Sequence, residues 1–246
     1  MTTASSTSIL LTVRGTLVAD TLEATRVLHN ETAGSEPGTA AARSLGDLSH
    51  KVFAPNLRSN QAGSKAGELL FIDVWQDAKG LMDFFSNPQV QEQGGRLFSS
   101  RDATVWMPAR GSFSYSLTAP MDKHQRFVGM VRGPITSPEP AIEVLSGIDA
   151  KAQRDARRRG LLSHEVFIKL NPPGDTSPLE LLGLDMWCDE AGMTEHYADQ
   201  THRAGLGQVF AGAPQASVWE QGAGTWSEWY GQKSQRHCVN SRFDPR

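Results

Sequence analysis

Four histidines, two aspartates and a tyrosine stand at spacings that could support proton transfer. His50 and His164 lie in the related phrases Leu48-Ser49-His50-Lys51-Val52-Phe53 and Leu162-Ser163-His164-Glu165-Val166-Phe167. Asp73 and Asp185 lie in a second pair, Glu68-Leu69-Leu70-Phe71-Ile72-Asp73-Val74-Trp75 and Glu180-Leu181-Leu182-Gly183-Leu184-Asp185-Met186-Trp187. Only the later copy continues into His196-Tyr197 and His202, where the earlier one has Phe84, Phe85 and Val90. Imidazole titrates near neutrality and suits a general base, so His196 and His164 are the candidate catalytic histidines. Asp185 would orient one of them, as carboxylates do, unless it bonds a backbone N–H or an arginine such as Arg132. Trp187, Tyr197, His202, His50 and Trp219 are the candidates for contact with a substrate ring.

Each assignment has a structural alternative. A strand histidine such as His50 or His164 can simply bond a neighbouring acid or backbone group. Trp219, like Trp106 and Trp226, also reads as a core aromatic. His196 and His202 are six residues apart, about 600° of rotation on one helix, so a continuous helix could not aim both into one pocket. No H-x-H or H-x3-H spacing supports a metal site, and no metal is expected. No dinucleotide-binding glycine motif or nucleophile elbow is present.

The elements that must position these residues come twice. Ile9–Gly15 reads as a strand, and its Val13-Arg14-Gly15 returns as Val131-Arg132-Gly133. A helical stretch comes next in each copy, Thr21–His29 with a resumption at Ala40–Leu45, and Ser137 to about Arg159, which Gly160 ends. Then come the histidine strand, a loop, the aspartate strand, and helices over 78–98 and 190–210 opened by Asp77 and Asp189 as caps. Asn87-Pro88 should kink or restart the first of these. Strands around Thr104–Trp106 and Ser217–Trp219 close each copy. The offset between copies is 118 at Val-Arg-Gly, 114 at the histidine and 112 at the aspartate, with the changes falling where insertions are tolerated. Each copy is therefore β-α-β-β-α-β, a ferredoxin-like unit. The expected fold class is α+β: two tandem ferredoxin-like repeats, 9–120 and 121–235, forming a pseudo-dimeric α+β barrel, with a disordered stretch at 1–8 and a polar tail at 236–246.

Bulk composition is that of an ordinary globular chain: 246 residues, 39% apolar, 21% charged, net charge −3. The acidic balance argues against a nucleic-acid partner. No apolar run is long enough for a membrane helix, so no membrane partner is expected. Cys188 and Cys238 lack C-x-x-C partners, which suits a reduced, cytoplasmic protein.

The run Trp187-x-Asp189-x6-His196-Tyr197-x4-His202, after an acid-x-Trp strand, resembles the antibiotic-biosynthesis-monooxygenase family of dimeric α+β barrels. The resemblance covers both halves, so the family's homodimer would here be built into one polypeptide, with further homo-oligomers still open. It implies a small-molecule enzyme, a cofactor-independent monooxygenase taking dioxygen and a hydrophobic aromatic or enolisable substrate, with no cofactor. The alternative is a non-catalytic ligand-binding or stress-related α+β barrel; the family also includes heme-degrading members. The heme-degrading branch places its iron-ligating histidine ten residues after the position of His196. Leu206 stands there, and Gly94 in the first copy, which counts against heme.

Overall fold

A computed structural model describes residues 8–59, 63–117 and 126–230. The N-terminal stretch through residue 7, Cys238, the tail at 236–246 and the proposed boundary between 120 and 121 lie outside the described residues.

The chain begins with β1 (Ile9–Leu17), α1 (Leu22–Glu31), α2 (Glu36–Ser44), β2 (Asp47–Pro55) and β3 (Glu68–Trp75). It continues through α3 (Ala78–Phe85), α4 (Pro88–Leu97), β4 (Phe98–Pro108) and a short β5 (Tyr115–Ser116). The second half runs β6 (Phe127–Pro134), α5 (Pro138–Arg158), β7 (Leu161–Lys169), β8 (Glu180–Trp187), α6 (Glu190–Ala198), α7 (Gln200–Leu206), β9 (Gln215–Gln221) and β10 (Trp229–Tyr230). The class is α+β. Among the described residues, β2-β3-β1-β4-β7-β8-β6-β9 form one antiparallel sheet, and β2 pairs β9 to close it into a barrel. Closure leaves no free edge along these strands.

The apolar alternation explains why the sheet closes. Leu10, Leu70, Ile72, Trp106, Val128, Phe167, Leu182, Leu184 and Trp219 point into the barrel and pack on one another. The residues between them, such as Leu11, Leu69, Phe71, Leu181 and Trp187, pack under the outer helices. Strands buried on both faces read as the unbroken apolar runs seen at 9–11 and 69–72. Trp106 and Trp219 are fully buried, and removing either side chain would cost about 3–5 kcal/mol. One barrel mouth carries a matched pair of contacts between the halves: Arg14 lies over the Trp219 ring and Arg132 over Trp106. These arginines form ion pairs with Glu68 and Glu180, so they are not the partners of Asp73 and Asp185.

The local signals act where the residues stand. Asp77 and Asp189 cap α3 and α6, and Pro88 restarts the helix as α4 after capping by Asn87. Gly160 takes φ +99 beyond α5, the left-handed exit that glycine permits. Ser137 precedes α5 without a side-chain capping bond.

Two features depart from simple periodicity. Both histidine strands carry a bulge, between Asp47 and Ser49 and between Leu161 and Ser163. Leu161, not Leu162, thus packs with Trp187 and Met193 under the helices. The helix expected over 190–210 is broken at Asp199, whose carboxylate accepts from the Thr201 and His202 N–H groups and starts α7. No helix among the described residues is long and apolar enough to cross a membrane.

Candidate active site

A shallow crevice open to solvent lies between α5 and the outer face of β7 and β8, with a cavity volume of about 10 Å3, room for about one water. His164, Asp185, Asp149, His196, Phe113 and Tyr115 give it its character. The strand alternation puts His164 and Asp185 on the helix-facing side, and antiparallel register sets them directly opposite one another. His164 Nδ1 is 2.7 Å from Asp185 Oδ1. The other ring nitrogen, Nε2, is 3.0 Å from Asp149 Oδ2 on α5, close enough for an ion pair but not aligned as a hydrogen bond. The imidazole is thus held between two carboxylates.

The electrostatics are set by that arrangement. Burial alone would push the His164 pKa down, but the Asp185 and Asp149 carboxylates overcome it and raise it to about 10. Burial likewise opposes ionisation of Asp185, yet the His164 cation and the bonds from His164 and Tyr197 hold its pKa below the usual carboxylate value. At neutral pH His164 is an imidazolium with both N–H groups in place. In that state its ring nitrogens are donors, not acceptors. His196 behaves in the opposite sense. Burial first, then its neighbour His202, lower its pKa to about 4, so it is neutral and able to accept a proton.

Trp187 and Tyr197, expected as pocket walls, instead brace Asp185. The Tyr197 hydroxyl donates to Asp185 Oδ2 at 2.6 Å and accepts from Trp187 Nε1 at 3.1 Å. Both ring systems lie behind the carboxylate because Trp187 is wholly enclosed in the core. Gly129 on β6 makes room for this: a Cβ there would sit 1.9 Å from the Tyr197 hydroxyl. His202 joins the cluster from behind His196, with ring centroids 4.5 Å apart. The break at Asp199 allows what a continuous helix would not.

Two other candidates are elsewhere. Trp219 points into the barrel, where its Nε1 donates to Ser217. His50 lies in the first half, where it meets Asp73 at 2.6 Å and His29 at 3.1 Å.

Sequence reasoning missed Asp149, Phe113 and Tyr115. Asp149 had a visible signal, since it interrupts the buried stripe of α5 formed by Ile142, Leu145 and Ala156. Phe113 and Tyr115 had none. They belong to the first half and cross over on β5, which pairs Tyr115 with His164.

Buried polar atoms at or behind the crevice are left short of hydrogen bonds: Tyr115 Oη and His202 Nδ1 have no partner, and His164 Nε2 and Asp149 Oδ2 meet only each other, as an ion pair. Buried polar groups are normally satisfied, and a cluster of unsatisfied ones around one opening is what a polar ligand group would complete.

No protein-family model matches the chain, and no curated protein matches it. Solved structures do. An anthrone oxidase-like protein aligns over 87% of this chain and 91% of its own, with a TM-score of 0.62 and 14% identity. A candidate monooxygenase from Fusobacterium nucleatum subsp. nucleatum covers 92% of this chain and 99% of its own, with a TM-score of 0.57 and 9% identity. Another, from Lactobacillus acidophilus, aligns over 87% of this chain and 93% of its own, with a TM-score of 0.53 and 10% identity. The chain has the fold of the dimeric α+β barrels. At these identities the likeness is one of fold, and function has to be argued from the site.

Proposed function

We propose that the chain is a single-polypeptide counterpart of a dimeric α+β barrel, made of ferredoxin-like repeats at 9–120 and 121–235, and that its second-half crevice is a cofactor-independent oxygenase site. The substrate is a hydrophobic aromatic or enolisable compound, and the co-substrate is dioxygen. Equivalent strand pairings support the repeat: β1 lies between β3 and β4, as β6 lies between β8 and β9.

The observation that carries the functional reading is the His164 imidazolium, whose Nε2 is ion-paired with but not aligned to Asp149, at an aromatic-edged crevice beside neutral His196. A substrate carbonyl or phenol oxygen would accept from His164 Nε2–H. Tyr115 Oη and Asp149 Oδ2 would satisfy the remaining polar atoms of a hydroxylated ring. His196 then takes the acidic C–H or O–H proton. The resulting enolate or phenolate is stabilised by His164 as an oxyanion is by preorganised donors. That electron-rich anion reduces dioxygen, and at an activated methylene the overall change is CH2 + O2 → C=O + H2O. The arrangement separates acid from base by environment, the pattern that lets one pocket do both at neutral pH.

The test is oxygen uptake by the purified chain with a panel of anthrones, quinols and polyketide phenols. Turnover that His196→Ala reduces about 100-fold or more is expected. Binding of the panel without oxygen uptake would replace the oxygenase with a non-catalytic ligand-binding barrel.

A further inference from the structure

The first half carries a buried titratable cluster that the proposed reaction does not use, and its role is independent of that reaction. His29 on α1 and His50 on β2 have Nε2 atoms 3.1 Å apart. Their ring planes are within 7° and their centroids 5.2 Å apart, so the rings meet edge to edge through a single N–H···N bond. His50 Nδ1 lies 2.6 Å from Asp73 Oδ1, and His29 Nδ1 lies 3.0 Å from Asn30 Oδ1.

Asn30 is clamped by a segment from the far end of the chain. Its Nδ2 donates to the Thr225 carbonyl, and its Oδ1 accepts from the Ser227 N–H, both at 2.9 Å. The same segment seats Trp226 against His29 and Trp229 against His50. It also pairs Trp229 with His50 through β10 and places Glu228 to accept the Val52 N–H at 2.7 Å. Gly34 lets the segment approach, since a Cβ there would lie 2.6 Å from Ser227 and 2.8 Å from His29.

The clamp determines the protons. Because Ser227 and Thr225 settle which end of Asn30 is oxygen, His29 Nδ1 must carry hydrogen. Three gaps then remain to be bridged by one proton each: Asn30–His29, His29–His50 and His50–Asp73. Three protons on Asp73, His50 and His29 give net charge zero, whichever side of each gap a proton occupies. A fourth either sets two N–H groups face to face or goes to the second oxygen of Asp73 and leaves the buried cluster with an uncompensated positive charge; with only two, two lone pairs would face each other.

We infer that this chain of hydrogen bonds is a proton-counting latch that docks the 225–230 arm onto the first half and holds it most tightly over an intermediate pH band. With the arm released, the imidazoles return to about 6.5 and Asp73 to about 3.9. The released cluster then holds about four protons near pH 5, three near 6.5 and two near 8, against three when closed. Closure weakens by about tenfold per pH unit for each proton of mismatch, on both sides.

The other charged groups facing the cluster modify the curve. Asp47, at the start of β2 beside Asp73 and Trp229, is pushed up to about 9 by burial and by Asp73, with Arg43 opposing. It therefore keeps its own proton when closed, and its contribution is lost as pH rises, which displaces the optimum to acid. Burial also raises Glu228 on the arm, against the pull of the Val52 N–H, His50 and Lys51, and this acts in the same direction. Both imidazoles are lowered to about 4 by burial, His29 also by His50. This places the acid loss between about 6.5 and about 4.

The test is amide hydrogen exchange at Ser227 and Val52, corrected for intrinsic rates, from about pH 4.5 to about pH 9. The wild type should show a maximum of protection that Asp47→Asn moves toward about pH 6.5, with losses of about tenfold per unit beyond it. Protection that varies in one direction only in Asp47→Asn overturns the latch. Asn30→Ala should abolish Ser227 protection, and retention of the wild-type curve in that variant also overturns it. Should Asn30→Ala not fold, the wild-type histidine 15N spectrum near pH 6.5 decides: a protonated His29 Nδ1 supports the latch, and an unprotonated one sinks it.

Discussion

At the scale of single residues, the two halves carry one geometry in two charge states. His164 lies between two carboxylates and is a cation; His50 lies between a carboxyl group and a second imidazole and is part of a neutral chain. The residue facing the ring nitrogen decides this, Asp149 in one half and His29 in the other. These charge states make stability depend on pH. The folded pKa of His164 is raised, so its contribution is full below about 6.5 and disappears as pH rises through about 10. That of His196 is lowered, so its contribution is present above about 6.5 and is lost as pH falls toward about 4. Urea unfolding should show a steeper alkaline decline in wild type than in His164→Gln, where Asp47 and Glu228 still contribute to it. Removing the imidazolium also leaves Asp185 and Asp149 unpaired, which should cost about 3–5 kcal/mol. Asp149→Asn is the gentler probe: loss of oxygenase turnover with little change in melting temperature would place Asp149 at the substrate.

At the scale of elements, two backbone features build the site. The Asp199 break turns α7 back so that His202 meets His196. Asp199→Ala should cost about 1 kcal/mol as a lost cap and raise the His196 pKa, since His202 would move away; histidine NMR titration measures both rings. Gly129 leaves space in β6 for the hydroxyl of Tyr197, where the matching strand of the first half has Leu11 and the matching helix has Phe85. Gly129→Ala should displace Tyr197 and destabilise the chain by about 1–3 kcal/mol, read by chemical denaturation. Tyr197→Phe leaves a buried Asp185 oxygen short of a donor, at about 1–3 kcal/mol.

At the scale of the molecule, each half covers the other's histidine. β5 brings Tyr115 to His164, and β10 brings Trp229 to His50. The coverings differ, for the first-half cluster is sealed by Trp226 and the Asn30 clamp, while the second half stays open as a crevice. The halves also share the barrel interior, so neither can bury Leu70, Trp106, Leu182 and Trp219 alone. Fragments 1–120 and 121–246, coexpressed, should therefore copurify as a pair, whereas either one expressed alone should aggregate or self-associate. A soluble monomeric half would contradict the shared-core account.

Strand periodicity and the repeated phrases made the α+β class, most of the element order and the placement of His164, Asp185, His50 and Asp73 on strands legible before any coordinates. These depend on alternation along a strand, which sequence carries directly. The aspartate caps and the glycine after α5 were legible for the same local reason. Register across strands, crossings between halves and charge state were not. The Asp185–His164 contact is set by residues 21 apart. The Tyr115 covering and the Asn30 clamp join residues 49 to 197 apart. The titration of each imidazole depends on burial and on which group lies at its far nitrogen, Asp149 or His29. The sequence by itself determined which groups could do acid–base chemistry. Only the tertiary structure decided that His164 is a cation, that His196 is the neutral partner, and that the first half is closed, because desolvation and through-space charge are properties of the packed chain.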